Sequence, residues 1–161
     1  MKHMLYVIPG YGHTAKMPEY RSIKECAQLK GYKVSILSID WTAPISQQLV
    51  SLKKGDAIFG FSLGATIARI SYKKNPCRKV ILGSETPLYR ITRRDIFSVT
   101  NKNRIFTEDL MGIKRNIAEF KIPSSSCSYL SGEREKLRGK KIKGAGHKLT
   151  KKYIQTICEL L

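Results

Sequence analysis

The segment "GFSLG", residues 60–64, places Ser62 between two glycines in a chain with three histidines, His3, His13 and His147. A serine hydroxyl becomes a useful nucleophile when an imidazole takes its proton and an acid holds that imidazole in one tautomer. Two glycines around a serine recur by chance, so the flanking residues decide. Here "DAIFGFSLGATIARI" reads as an apolar strand, a sharp turn and a helix, with Ala65 and Ala68 small enough to let the helix lie close on a sheet. Such a turn strains the serine backbone, and a side chain at Gly60 or Gly64 would collide with the crossing strand or helix. The hydroxyl then stands at a helix N-terminus, where the dipole favours a developing anion. The bland alternative is a glycine-flanked serine that caps a helix.

A base and an acid follow in chain order. His147, in "GAGHKL", lies between the last candidate strand and the final helix, where a loop can carry imidazole over Ser62. His3 falls on the first strand and His13 in the loop after it. The acid should follow the preceding strand, where "SGERE" offers Glu133 and Glu135; Glu135 is favoured, and Glu85, after "VILGS", is the reserve. An oxyanion hole needs two backbone N–H groups rather than particular side chains. The amide of Leu63, after the serine, supplies one, and that of Tyr11, in the glycine-rich "PGYG", is the choice for the other.

These residues need a scaffold to converge. "MLYVI" is an apolar strand ended by Pro9-Gly10, and "PEYRSIKECAQLKGY" is a helix with Tyr20, Ile23 and Ala27 on one face, stopping at Gly31. "KVSILSIDW" is a second strand, after which Ser46 opens a short helical stretch with Leu49 and Leu52. "DAIFGF", "KVILGSE" and "CSYLSGE" are further strands, with "KIKGAG" a poor sixth. "LTKKYIQTICELL" closes the chain as an amphipathic helix with Tyr153, Ile154, Ile157, Cys158 and Leu161 on one face. The alternation predicts an α/β fold: a doubly wound, mainly parallel sheet of five to six strands with helices on both faces. In the order 2-1-3-4-5, loops 9–13 and 60–64 leave from the switch point, where such sheets bind ligands.

Residues 87–122 break this rhythm and predict a short helical flap near the pocket mouth. It carries Arg90, Arg93, Arg94, Lys102 and Arg104; the two readings are a flap that steers an anionic substrate and a solvated connection whose charges do nothing specific. Its Leu88, Tyr89, Ile91 and Phe97, with Tyr11 and Leu63, are candidate pocket walls. The 161 residues suit one domain, 1–161. Their formal net charge of +18 favours anionic partners. A competing class is therefore a catalytically inactive protein that binds nucleic acid or anionic surfaces through a basic face. No nucleic-acid-binding motif or basic-aromatic platform is present, which counts against it. Cys26, Cys77, Cys127 and Cys158 form no C-x-x-C pair and read as reduced, mostly buried thiols. The N-terminal apolar run is too short to span a membrane and lacks a cleavage site, so a cytoplasmic protein is expected.

With "IPGYGH", "GFSLG", "SGERE" and "GAGHKL" in register along nearly the whole chain, the sequence resembles the α/β-hydrolase superfamily, in size its small, lidless serine hydrolases. It departs from the common pattern in offering glutamate rather than aspartate as the acid, and Pro9 where histidine often precedes the oxyanion-loop glycine. The resemblance implies hydrolysis of an ester, thioester or amide of a small acyl compound through an acyl-serine intermediate. It implies neither a metal nor an organic cofactor.

Overall fold

A computed structural model describes residues 3–87, 90, 92–99, 103–117 and 120–161. Its strands are β1 (Met4–Ile8), β2 (Lys33–Ile36), β3 (Ala57–Phe61), β4 (Lys79–Gly83), β5 (Cys127–Gly132) and β6 (Lys140–Ile142). All pair in parallel in the order β2-β1-β3-β4-β5-β6, with Leu5 opposite both Val34 and Ala57 in the register. The helices are α1 (Pro18–Leu29), α2 (Leu63–Lys74), α3 (Arg93–Val99), α4 (Arg104–Ile117) and α5 (Lys151–Leu160). The expected doubly wound parallel sheet of five to six strands is therefore present, with six strands and the switch point between β1 and β3.

Strand β3 explains the layering. Every one of its residues is buried, as a strand covered on both faces requires. Ala57, Phe59 and Phe61 point to the layer built with Tyr20, Ile23 and Ala27 of α1 and Tyr153 and Ile157 of α5. Ile58 points to the opposite layer, with Ala65 and Ala68 of α2 and Phe106 and Leu110 of α4. Within residues 87–122, Phe106 and Leu110 are fully buried, so α4 packs into the core. Apolar spacing within α4 drew it inward. At the start of α3, Thr92 and Asp95 cap each other: Thr92 N–H donates to Asp95 Oδ2 at 2.8 Å and Asp95 N–H to Thr92 Oγ1 at 3.2 Å.

Two expectations are corrected. The helical stretch opened by Ser46 is a single 3-10 turn, Ile45–Gln47, and Leu52 is buried from an irregular segment. Four reduced thiols were expected, yet Cys26 and Cys158 form a disulfide, their Cα atoms 6.1 Å apart. A separation of 132 residues hides this pair in the sequence; it arises because α1 and α5 lie side by side on one face of the sheet. Cys77 and Cys127 are free and buried, and burial pushes the Cys77 thiol up to about 11. Among the described residues no helix is long and apolar enough to cross a membrane.

Backbone packs closely on both sides of Ser62. A Cβ on Gly60 would strike the carbonyl of Gly64 and the Cα of Ala65, and one on Gly64 would strike the carbonyls of Ile8 and Pro9. Gly112, on the exposed side of α4, has nothing within 4 Å of such an atom. Gly64→Ala should therefore lower the urea midpoint, by about 1–3 kcal/mol of stability from backbone overlap. Gly112→Ala should raise it, by up to about 1 kcal/mol. Equal midpoint shifts for the two would contradict the close crossing of β1 and α2.

Candidate active site

Ser62 joins β3 to α2 with φ 54° and ψ −120°, a left-handed backbone rare for a residue with a side chain. Its N–H donates to Gly83 O at 2.8 Å, which holds the turn against the end of β4. Its Oγ lies 2.8 Å from His147 Nε2, and His147 Nδ1 lies 2.6 Å from Glu135 Oε1. An ionised carboxylate only accepts hydrogen bonds, so the imidazole donates from Nδ1 and its Nε2 lone pair accepts from the serine hydroxyl. The sequence separations are 85 and 12 residues, so the convergence is made by the fold.

Gly132 explains how His147 arrives. A Cβ there would strike the carbonyls of Ala145 and Gly146, so the last loop lies directly on the end of β5. The Glu135 side chain is only 12 % exposed beneath the imidazole, whereas the His147 side chain is 52 % exposed. One group is sheltered and the other meets solvent. Glu135 Oε2 accepts from the Gly132 amide at 2.5 Å and from Ser84 Oγ at 2.6 Å, so both carboxylate oxygens are engaged.

Ser84 was not singled out in the sequence, and neither was the hydroxyl of Tyr153. Ser84 is fully buried at the exit of β4, with φ 43°. Because it gives its proton to Glu135, the Tyr153 hydroxyl 3.1 Å away donates to Ser84. Gly83 makes the space, since a Cβ there would stand 3.1 Å from that hydroxyl. In the chain Tyr153–Ser84–Glu135–His147–Ser62 the hydrogen bonds are therefore donated inward from both ends and converge on the Glu135 carboxylate. The signal in the sequence was slight: a serine at the end of the strand beside the turn.

The other candidates fall apart from this chain. Glu133 accepts from the Gly144 amide at 3.0 Å and Glu85 pairs with Arg69, so neither meets His147. Leu63 opens α2, where a first-turn N–H has no acceptor within the helix. The loop bearing Tyr11 passes close to the serine: a Cβ on Gly10 would stand 3.3 Å from Ser62 Cβ. The Tyr11 ring meets Trp41 edge-on at 5.4 Å, and Trp41 meets Phe106. Of the expected pocket walls, Phe97 is half-buried on α3, while Leu88, Tyr89 and Ile91 lie outside the described residues, as does Lys102. Arg93 is exposed and pairs with Glu108 at 2.6 Å. Among the described residues no group of three or more His, Cys, Asp or Glu side chains could hold a metal ion.

His13, left aside as a base, is built into the wall. The Tyr20 hydroxyl accepts from the Gly10 amide at 3.1 Å and is hydrogen-bonded to His13 Nδ1 at 2.8 Å. Phe61 stacks on the His13 ring at 5.7 Å and lies 5.2 Å from the His147 ring, so the two imidazoles flank one phenyl.

No protein-family model matches the chain, and no curated protein does. Solved structures do match its fold. A presumed hydrolase from Agrobacterium vitis S4 superposes with a TM-score of 0.61 at 13 % identity, over 80 % of this chain and 68 % of that one. MGS-MChE2, an alpha/beta hydrolase enzyme from the metagenome of lagoon sediments at Mar Chica, Morocco, superposes with a TM-score of 0.52 at 14 % identity, over 81 % and 68 %. At these identities the likeness is one of fold, and the chain has the α/β-hydrolase fold.

Burial lowers the pKa of His13 below the ordinary 6.5; the His147 ring lowers it further and the Glu19 carboxylate opposes both. The unfolded chain then binds this proton more readily than the folded one. His13 therefore contributes stability present above its unfolded pKa and lost as the pH falls towards the folded value. Replacing it in His13→Gln should flatten the decline of Tm between about pH 7 and pH 5. Parallel Tm–pH curves for the two proteins would contradict this.

Proposed function

We propose that the chain is a serine hydrolase that cleaves a carboxylic ester or thioester through an acyl-serine intermediate. The observation that carries this reading is the unbroken Ser62–His147–Glu135 hydrogen-bond chain, ending on a serine in left-handed backbone at a strand-to-helix turn. Ser62 Oγ attacks the acyl carbon while His147 Nε2 takes its proton. The carbonyl π pair moves onto oxygen, and the amides of Tyr11 and Leu63 hold that oxyanion. As it collapses, the bond to the leaving alcohol or thiol breaks and His147 returns the proton to it. A water molecule then gives a proton to His147 and attacks the acyl-serine. Collapse of the second intermediate releases the carboxylic acid and restores the serine. Glu135 stays ionised throughout and stabilises the imidazolium that forms twice. Ser84 and Tyr153 act through Glu135, as positioning residues.

Hydrolysis of a p-nitrophenyl ester series and of matched acyl thioesters tests the reading. Ser62→Ala and His147→Ala should lower kcat by about 10³-fold or more. Ser84→Ala removes one charge-assisted hydrogen bond, about 1.5–3 kcal/mol, and should lower kcat by roughly tenfold to a hundredfold with KM little changed. Full activity in Ser62→Ala would remove the proposed nucleophile.

A further inference from the structure

A cavity of about 340 Å³ opens beside the serine site, and neither Ser62 nor His147 lines it. It lies between α2, α4 and the carboxyl ends of β4 and β5. Arg69, Lys114, Lys121 and Arg138 line it together with Glu85, the single carboxylate among the described lining residues. Arg69 is the deep member, its side chain only 7 % exposed. Glu85 accepts from Arg69 Nε at 2.5 Å and from Arg69 Nη2 at 2.6 Å, which neutralises one guanidinium. The same carboxylate is 3.5 Å from Arg138 Nη2, so one negative charge is shared between two guanidinium groups. The lining therefore keeps a surplus of positive charge in a concave, partly desolvated place, where fields from like charges add.

The rest of the lining sets the shape of an occupant. The Arg138 guanidinium stacks 3.8 Å above the Tyr129 ring, which fixes its plane and leaves in-plane N–H groups for a planar or tetrahedral anion. Phe120, Tyr129, Leu82 and Ile117 supply apolar wall. The volume lies at the lower end of small-ligand sites. We propose that this cavity binds a small organic anion, a phosphate or carboxylate group carried on a single aromatic or short apolar body. Its head group meets Arg138 and Lys121 at the mouth, and its body lies against Tyr129 and Phe120. The assignment stands apart from the hydrolytic reading, because no wall of the cavity belongs to the Ser62–His147–Glu135 chain.

Titration calorimetry with phenyl phosphate, phenylacetate, benzyl alcohol and inorganic phosphate tests it. Wild type and Ser62→Ala should bind phenyl phosphate or phenylacetate equally, the tighter of the two naming the head group. Benzyl alcohol, which lacks the charge, and inorganic phosphate, which lacks the body, should each bind at least tenfold more weakly. Arg138→Gln with Lys121→Gln removes both exposed charges without setting a second carboxylate beside Glu85, and should keep the folded circular dichroism spectrum while weakening the organic anion at least tenfold. Unchanged affinity in that variant, or inorganic phosphate binding as tightly as phenyl phosphate, would overturn the proposal.

Discussion

Close backbone approach at the carboxyl end of the sheet is the constraint on which everything else depends. Gly60 lets the start of α2 fold back on β3, Gly64 lets it press against the exit of β1, and Gly132 lets the final loop lie on the end of β5. Each contact is made against backbone, which cannot move aside as a side chain can. The consequence is that a serine from the third strand, a histidine from the last loop and a glutamate between them meet within hydrogen-bonding distance. Local strain at Ser62 and Ser84 is tolerated because both residues are held by neighbouring strands, through the Gly83 and Leu130 carbonyls.

The layer beneath these residues does more than fill volume. Tyr20 and Tyr153 are both fully buried, and each spends its hydroxyl on the site: Tyr20 on the 10–13 loop, Tyr153 on Ser84. Burial raises the pKa of both phenols, so both stay protonated and able to donate. The Cys26–Cys158 disulfide joins the two helices that carry these tyrosines. Core packing and site geometry are thus the same set of contacts on the α1 and α5 face. The opposite face, under α2 and α4, instead carries the cationic cavity, so the two sides of the sheet present different chemistry.

Much of this was legible in the residues. Apolar runs of five or six residues alternating with helical spacing marked β1, β3, β4 and β5 and the helices around them, because a strand covered on both faces has no polar side to break its pattern. The small residues in "GFSLGATIA" marked the tight turn. The order Ser62, Glu135, His147 followed from where loops must leave a parallel sheet. What escaped notice depends on three-dimensional proximity alone. Ser84 and Tyr153 are 69 residues apart, and nothing in either neighbourhood reports a polar contact. The disulfide joins opposite ends of the chain. Residues 87–122 read as a short helical flap because their arginines stand out in the sequence, yet Phe106 and Leu110 anchor α4 in the core.

The central claim is that Ser62 is a nucleophile activated by His147. It is tested most directly by intact mass and peptide mapping after treatment with an alkyl fluorophosphonate, which reports the nucleophile whatever the natural substrate is. The account predicts one adduct per chain, on the peptide containing Ser62, formed rapidly in the wild type, at least a hundredfold more slowly in His147→Ala, and not at all in Ser62→Ala. No adduct on the wild type, or equal labelling of Ser62→Ala, would contradict it.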